Sequence, residues 1–327
     1  STMKALVCEK FGPPGDLQLK EVTDPVPGDK EVLVRVHAAG INFPDLLMIQ
    51  GQYQDKREPP FIPGAEVSGV VESVGEKVRR VKPGDRVIAT PLGGAFADKC
   101  TVREPHCMPL PDQLDFEQGA GFTITYATTW HAVRQRGRLH AGETVLVLGA
   151  AGGVGSAAVE IAHAMGARVI AAASSQEKLD FARAAGADEC INYHEDSLRE
   201  RLKDLTGGKG VDVVYDPVGG DAAQAAYRAL AWHGRYLVIG FASGDIPAFP
   251  ANIALLKEAS VMGVWWGTWA ARHPDESLQN MVELAARVAA GELRPVVSER
   301  YALADFANAF AALQERRALG KVVLTLQ

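Results

Sequence analysis

The sequence lacks the cysteine and histidine spacings that disulfide frameworks and zinc sites require. Its 327 residues include four cysteines, Cys8, Cys100, Cys107 and Cys190, and none of them forms a C-x-x-C pair. The eight histidines show no H-x-x-x-H pair. We therefore expect neither a disulfide framework nor a bound metal, and we interpret the thiols as buried or inert.

Long apolar runs and a basic stripe are also missing. The apolar runs fall far short of the roughly 18 to 20 residues that span a bilayer, and the start lacks the charged-then-apolar layout of a signal peptide. The net charge of −6 argues against a nucleic-acid surface. With 47% hydrophobic and 23% charged residues, the composition is that of an ordinary globular protein, and a length of 327 residues suits two domains. Without a predicted membrane span or signal peptide, we expect a cytoplasmic location by default.

Closely spaced glycines do occur, after the apolar run Val145-Leu-Val-Leu148. Apolar residues then recur at helical spacing, and residues 167–173 are typical of a second buried strand. A strand that turns sharply into a helix presents unpaired N–H groups and the positive end of the helix dipole to a pyrophosphate. The sequence therefore predicts dinucleotide binding at Gly149, Gly152, Gly153, Val154 and Gly155.

The end of the second strand indicates which dinucleotide binds. An NAD enzyme usually carries an acidic residue there, whereas this chain has Ser174 and Ser175, followed one helical turn later by Lys178. Two hydroxyls and an ammonium suit a 2′-phosphate, which favours NADPH. Two alternatives stay open: Ser174 caps the following helix, and Glu177 reaches back to a ribose.

The order of predicted elements indicates an α/β protein. Short strands punctuated by Gly and Pro fill residues 1–123 and predict a mostly-β region, whereas strands alternate with helices over 124–264 and predict a parallel, doubly wound sheet. Residues 265–327 carry two helices and two strands, which we expect to fold back onto the β region. The first domain is then discontinuous.

Together these features resemble the medium-chain dehydrogenase/reductase superfamily over essentially the whole chain, and within it the zinc-free NADPH:quinone oxidoreductases. The resemblance implies a GroES-like catalytic domain, a Rossmann domain and a homodimer. It rests on the following segments: Ala38-Ala-Gly-Ile-Asn-Phe-Pro-Asp45, Gly51-Gln-Tyr53, Pro63-Gly-Ala-Glu-Val-Ser-Gly-Val-Val-Glu-Ser-Val-Gly75, Lys82-Pro-Gly-Asp-Arg-Val87, the glycine turn, Ile191-Asn-Tyr193, Asp216-Pro-Val-Gly-Gly220 and Gly320-Lys-Val-Val323.

The branch is decided by residues that differ from those of the zinc enzymes. The positions at which the zinc alcohol dehydrogenases of this superfamily carry cysteine, histidine and cysteine hold Asn42, Ala65 and Ala120. None of these replaces a thiolate or an imidazole, so the Lewis acid that polarises an alcohol is expected to be absent. The chemistry that remains is hydride delivery to an acceptor that delocalises charge itself, a quinone or an α,β-unsaturated carbonyl.

The resemblance also implies roles for single residues. Asn42 and Asp45 match a pair at the mouth of the family's cleft, although an Asn-x-x-Asp turn that caps a helix is the alternative. Thr128 matches a nicotinamide-ribose contact, with a buried helix threonine as the alternative. Tyr193 and Arg316 match positions that close on the 2′-phosphate. The segment Gly240-Phe241-Ala-Ser243-Gly244 follows the end of a strand, where its backbone is placed to hold the carboxamide.

Two features leave the function open. Tyr53 matches a tyrosine of the superfamily's enoyl-thioester reductases and is either a proton donor or a packing residue. Three tryptophans, Trp265, Trp266 and Trp269, have three alternative interpretations: an apolar wall of the substrate pocket, part of a subunit interface, or part of the hydrophobic core. The leading hypothesis is an NADPH-dependent reductase of quinones or enones. The alternatives are an NADPH-binding redox sensor or crystallin-like protein with little turnover, and an enoyl-thioester reductase.

Overall fold

The computed structural model describes residues 1–326, which divide into two compact units. Of these, residues 1–124 and 294–326 form the first unit, and residues 125–293 form the second. The elements up to residue 122 belong to the first unit. They are β1 (Thr2–Val7), β2 (Gln18–Thr23), β3 (Glu31–Ile41), α1 (Phe43–Ile49), β4 (Glu66–Val74), β5 (Arg86–Ala89), β6 (Lys99–Arg103), β7 (Cys107–Pro109) and α2 (Phe116–Ala120).

The second unit alternates strands with helices. A helix that begins at the boundary leads into it and continues as a π-helical turn over Ala132–Arg136. The elements are α3 (Thr123–His131), β8 (Thr144–Leu148), α4 (Gly153–Ala164), β9 (Arg168–Ala173), α5 (Gln176–Ala185), β10 (Glu189–Asn192), α6 (Leu198–Leu205), β11 (Val211–Asp216), α7 (Asp221–Arg228), β12 (Leu230–Val238), α8 (Ala251–Lys257), β13 (Ser260–Gly263), α9 (Trp266–Arg272) and α10 (Pro274–Ala289).

The chain then returns to the first unit through β14 (Val297–Ala302), α11 (Phe306–Gln314) and β15 (Lys321–Thr325). β15 pairs antiparallel with β3, with Val323 opposite Gly40. The main sheet of this unit therefore has the strand order β14-β15-β3-β4-β5-β7, with β6 also paired to β3. The predicted discontinuous, mostly-β domain is confirmed, because its sheet is completed by strands from both ends of the chain.

Alternation along the strands builds the core of the first unit. Val32, Val34 and Val36 of β3 point to the same face and are fully buried, as residues two apart on a strand do. They share one apolar cluster with residues of β4 and with Phe310 of α11. Because α11 belongs to the returning segment, both parts of the chain contribute to this core.

The second unit is built on a six-stranded sheet in the order β10-β9-β8-β11-β12-β13, all parallel. Its strands are apolar along most of their length because helices cover both faces. The strand order reverses between β8 and β11, and ligands bind at the carboxyl ends of strands at such a switch point. The predicted doubly wound sheet is confirmed.

One boundary differs from the sequence interpretation, which began the returning segment at residue 265. Residues 265–293 belong to the second unit. α10 packs there with Met281, Leu284 and Val288 buried, and Glu283 accepts a hydrogen bond from Trp130 Nε1 at 3.2 Å. The sequence pattern places the end of the domain after the last strand of the sheet. The domain continues because the apolar face of α10 packs in the second unit.

Candidate functional site

The glycine turn connects β8 to α4 in the second unit. Gly149 has φ 58°, a conformation that favours glycine, and Gly152 is the N-cap of α4. A Cβ on Gly155 would lie 2.0 Å from the Gly149 carbonyl oxygen, so the backbones approach too closely for any side chain. The first N–H groups of α4, at Gly153, Val154 and Gly155, have no partner within the helix. The residues predicted to bind the pyrophosphate are thus brought together.

A hydroxyl and an ammonium meet at the end of β9. Lys178 Nζ lies 3.1 Å from Ser174 Oγ, which places both groups where the sequence predicted the 2′-phosphate site. Ser175 is the N-cap of α5, and its Oγ accepts the Lys178 N–H at 3.3 Å. The alternative interpretation of Ser174 as the helix cap is therefore wrong by one residue, because Ser175 caps the helix.

Tyr193 follows β10 and lies beside this group. Its N–H donates to the Ala173 carbonyl at 3.2 Å, so the backbone of Tyr193 adjoins the residue just before Ser174. The Tyr193 side chain is half-buried. Arg316 belongs to the first unit, where it is exposed and has φ 55° just beyond α11. Its participation in the anion pocket stays a prediction.

Asp216, the last residue of β11, anchors the loop that follows this strand. This carboxylate is buried, accepts the N–H groups of Val218 at 2.8 Å and Gly219 at 2.9 Å, and also accepts the Tyr236 hydroxyl. Ser243 Oγ in turn donates to the Val218 carbonyl at 2.7 Å. The motif that begins at Asp216 is part of the family resemblance, but the sequence does not predict this anchoring role.

The remaining predicted residues of these loops and of α3 are half-buried. Phe241 lies near Gly219: a Cβ added there would be 3.5 Å from the Phe241 ring. Thr128 lies on α3, next to Thr129, whose hydroxyl lies 2.8 Å from that of Tyr215. Phe241, Ser243 and Thr128 therefore belong to the second unit, as the glycine turn does, and their contacts with a cofactor stay predictions.

Asn42 and Asp45 lie at the end of β3 and the start of α1 in the first unit. Asn42 is the N-cap of α1, and its N–H donates to Asp45 Oδ2 at 2.8 Å. The capping alternative for this Asn-x-x-Asp is therefore confirmed. Burial raises the pKa of Asp45 to about 7, against the lowering effects of the Asn42 N–H and of the Lys321 charge. The capping role leaves the side chain of Asn42 for another interaction.

That side chain contacts a buried ion pair that sequence reasoning missed. Lys321 Nζ lies 2.8 Å from Glu66 Oε2, with the two side chains 5% and 1% exposed. Asn42 Nδ2 donates to Glu66 Oε2 at 2.7 Å, and Lys321 Nζ donates to Asn42 Oδ1. Glu66 Oε1 accepts the Ile124 N–H at 3.1 Å. The only sequence signal was that both residues fall within motifs of the resemblance.

Tyr53 lies in the loop after α1 and is half-buried. The loop leaves the helix through Gly51, which has φ 71°, and the Gln52 N–H donates to the Leu47 carbonyl at 2.9 Å. Tyr53 therefore belongs to the same unit as Asn42 and Asp45. A role as proton donor or as packing residue stays a prediction.

The structure shows the state of the cysteines and the placement of side chains that could bind a metal ion. All four cysteines are free thiols, and burial raises the pKa of Cys100 and Cys107 to about 12, as expected of inert thiols. Within residues 1–326, no three His, Cys, Asp or Glu side chains gather in a way that could hold a metal ion. In the same range, no helix combines the length and apolar character needed to cross a membrane.

Comparison with known proteins gives the family. The alcohol dehydrogenase GroES-like domain matches residues 28–134, and the zinc-binding dehydrogenase domain matches residues 153–287. The quinone oxidoreductase-like protein 2 of Bos taurus is 38% identical over 325 residues, which cover 99% of this chain and 93% of that protein. The chain belongs to the medium-chain dehydrogenase/reductase superfamily, in its quinone oxidoreductase branch.

Solved structures of this superfamily agree. The quinone oxidoreductase of Pseudomonas syringae is 35% identical with a TM-score of 0.92, over 99% of both chains. The Escherichia coli quinone oxidoreductase, solved in complex with NADPH, is 31% identical with a TM-score of 0.89, again over 99% of both chains. The resemblance stated from the sequence motifs is confirmed.

One of the three positions at which the resemblance implies a missing zinc ligand, Asn42, contacts the ion pair directly, and the other two, Ala65 and Ala120, lie near it in the chain or through the backbone. Asn42 contacts both of its charged groups, and Ala65 precedes Glu66 in β4. A Cβ on Gly40 would lie 2.4 Å from the Ala120 carbonyl oxygen and 2.7 Å from Glu66 Oε2. At one of the substituted positions, Asn42, this chain therefore presents a carboxamide that contacts a lysine ammonium.

Proposed function

We propose that this protein is a zinc-independent oxidoreductase that uses NADPH to deliver a hydride to quinones or α,β-unsaturated carbonyl compounds. The observation that carries the proposal is the buried ammonium of Lys321, which contacts Asn42 at one of the substituted ligand positions. A fixed cation held by Glu66 disfavours a second, divalent cation at the same place. Without a Lewis acid to stabilise an alkoxide, the substrate must delocalise the negative charge that the hydride brings.

The residues of the second unit fit NADPH. Gly152 carries no side chain beside the first N–H groups of α4, where a pyrophosphate can bind, and Gly149 and Gly155 let the turn pack closely against the start of the helix. Lys178 and Ser174 offer an ammonium and a hydroxyl at the end of β9, in place of the carboxylate that binds an unphosphorylated ribose. When bound, the cofactor supplies the hydride. Tyr193, Thr128, Phe241 and Ser243 of this unit are proposed as further contacts, together with Arg316 of the first unit.

The first unit is proposed to supply groups on the substrate side. Asn42 retains one amide hydrogen beyond its contact with Glu66, and this hydrogen suits a hydrogen bond to a substrate or to the nicotinamide ribose. Tyr53 is proposed to hydrogen-bond the enolate that forms when an enone accepts a hydride, or to pass it a proton. Asp45 is proposed to position Asn42 by accepting a hydrogen bond from the Asn42 backbone N–H.

We also propose that the chain forms a homodimer through β13, the edge strand of the parallel sheet. Large apolar side chains are exposed on or beside this edge: Val261 at 45%, Trp265 at 54% and Trp232 at 62%. An unpaired edge flanked by apolar groups favours pairing with a second copy across a twofold axis. This favours the interface interpretation for Trp265, whereas Trp269 stacks between His131 and His273, at centroid distances of 4.0 and 5.7 Å.

A panel assay separates the reductase from the alternatives. Loss of NADPH absorbance is followed with quinones, enals and enoyl thioesters. We expect turnover of quinones or enals. Tight NADPH binding with no turnover across the panel favours the redox sensor or crystallin-like protein, and turnover confined to enoyl thioesters favours the enoyl-thioester reductase. The cytoplasmic location stays a prediction.

A further inference from the structure

The buried ion pair of the first unit consists of two charged residues that the proposed chemistry does not itself require. Lys321 is the first residue of β15 and Glu66 the first of β4, and both strands pair with β3, which ends at the residue before Asn42. Gly40 of β3 lies opposite Glu66, and the space that its missing Cβ leaves is filled by the Ala120 carbonyl oxygen and the Glu66 carboxylate. Three adjacent strands thus deliver one cation, one anion and one carboxamide to the same place.

A carboxamide has two ends of nearly the same size, and its partners decide which way it points. Lys321 can only donate, so it must face the Asn42 oxygen, and a carboxylate can only accept, so Glu66 must face the Asn42 nitrogen. The observed contacts follow this rule at both ends. Turning the amide over would place NH₂ against an ammonium and oxygen against a carboxylate. The ion pair therefore permits one orientation only.

A purely stabilising role accounts poorly for such a pair. Removing two charges from water is costly, and neutral replacement of a whole buried pair is often neutral or stabilising, whereas removal of one partner leaves an uncompensated buried charge. The observed pair is nearly fully buried and adds an oriented carboxamide to its contacts. An arrangement that costs desolvation and fixes an orientation is better explained by what the oriented group does.

We propose that Lys321 and Glu66 are positioning residues for the reaction, and that their function is to hold the Asn42 carboxamide in a single orientation toward the bound cofactor or substrate. The inference rests on the proposed function, because it assumes that Asn42 contacts a ligand during turnover. It predicts that the charges matter to turnover through Asn42 and by no other route.

The test compares the neutral double variant Glu66→Gln/Lys321→Met with Asn42→Ala and with the triple variant. Each single charge variant should lower the melting temperature, because it leaves one charge buried alone, and the double variant should recover it. The double variant should nevertheless lose about 10- to 100-fold in kcat, as misplacement of a reacting group does. The triple variant should lose no more than Asn42→Ala alone. Lys99→Met, which removes a lysine paired with Asp24 and Glu72 in the same unit, is the matched control and should keep its kcat.

Wild-type kcat in the double variant, alongside a large loss in Asn42→Ala, overturns the inference, as do losses that multiply in the triple variant. A second measurement does not depend on turnover. The side-chain NH₂ signals of Asn42 in ¹⁵N-labelled protein, identified by their absence in Asn42→Ala, should shift and exchange faster in the double variant. The isosteric Glu66→Gln variant provides the same test if the double variant does not fold.

Unchanged Asn42 signals contradict the positioning role whatever the enzyme turns over. If the wild type reduces no acceptor, or if Asn42→Ala turns over normally, the proposed function of Asn42 fails. The NMR measurement then decides separately whether the pair orients the carboxamide.

Discussion

Lys178 is the residue on which the choice between NADPH and NADH is expected to depend. Its ammonium lies beside Ser174 at the end of β9, where we expect the adenosine ribose, and only NADPH carries a 2′-phosphate on that ribose. Lys178→Ala should weaken NADPH binding by roughly 1.5 to 3 kcal/mol, the value of a charged hydrogen bond, and leave NADH binding nearly unchanged. Titration of cofactor fluorescence measures both, with the exposed helix lysine substitution Lys203→Ala as the control. An equal loss for both cofactors refutes the pocket.

Asp45 should make stability depend on pH. Its pKa is raised to about 7 in the folded protein, above the value of 3.8 of an unperturbed aspartate. The folded state therefore holds a proton that the unfolded state releases between these values. The stability advantage of the protonated form is complete below pH 3.8 and is lost as the pH rises through 7.

The Asp45→Asn variant removes this dependence, because Asn keeps an oxygen that can accept the Asn42 N–H. Relative to the variant, the wild type should lose roughly 4 kcal/mol of unfolding free energy between pH 4 and pH 8, as a shift of about three pKa units implies. Urea unfolding at the two pH values measures the difference. Parallel changes in both proteins would show that folding does not raise the pKa of Asp45.

Tyr53 tests whether the first unit supplies a proton. Tyr53→Phe keeps the ring and removes the hydroxyl. Turnover of enones should fall by roughly 10- to 10⁴-fold, the range expected for a lost proton donor, whereas quinones should be spared because a hydroquinone anion takes its proton from water. Steady-state rates with one acceptor of each class decide the point. An equal loss for both classes makes Tyr53 a packing residue.

Some site residues were accessible to sequence reasoning and others were not. Gly149 to Gly155 and Ser174 to Lys178 are each close together in the chain, so local spacing was enough to group them. Glu66 and Lys321 meet only because β4 and β15 both pair with β3, and no spacing in the sequence brings them together. A lysine is also rarely buried, so composition alone suggests an exposed side chain.

At the level of elements, strands with clear alternation or a continuous apolar run were predicted well. The sequence runs 66–74 and 86–89 predict strands, and the structure forms β4 and β5 with these same bounds, Glu66–Val74 and Arg86–Ala89. By contrast, the apolar run over residues 235–239 predicts a strand that begins at Arg235, whereas β12 begins at Leu230. His233 has φ 61°, and with Gly234 it interrupts the pattern that a strand shows. Pairing with β11, which shifts register between Val211 and Val213, carries the strand through this irregularity.

The edge strand β13 gives a prediction about assembly. Val261→Lys places a charge on the exposed edge, which opposes strand pairing between two copies. The wild type should elute at the mass of a dimer in size-exclusion chromatography with light scattering, and the variant at that of a monomer. Val26→Lys, at an exposed valine of the first unit, is the control and should remain dimeric. A monomeric wild type contradicts the proposed interface.

At the level of the whole molecule, the two-unit architecture followed from the change between strand-rich and alternating segments. The family resemblance, carried by motifs from residue 38 to residue 323, agreed with the comparisons. The exact boundary did not follow, because α10 has the amphipathic pattern of a surface helix and that pattern does not say which core it covers. Such assignments depend on contacts between residues far apart in the chain.

The central claim is that NADPH reduces a charge-delocalising acceptor on this protein without a metal. The most direct measurement is the NADPH-dependent rate with a quinone, made on chelator-treated, dialysed protein whose zinc content is determined by elemental analysis of the same sample. The account predicts well under one zinc per chain and a rate equal to that of untreated protein. Stoichiometric zinc, or a rate that falls on chelation and returns when zinc is added, would contradict it.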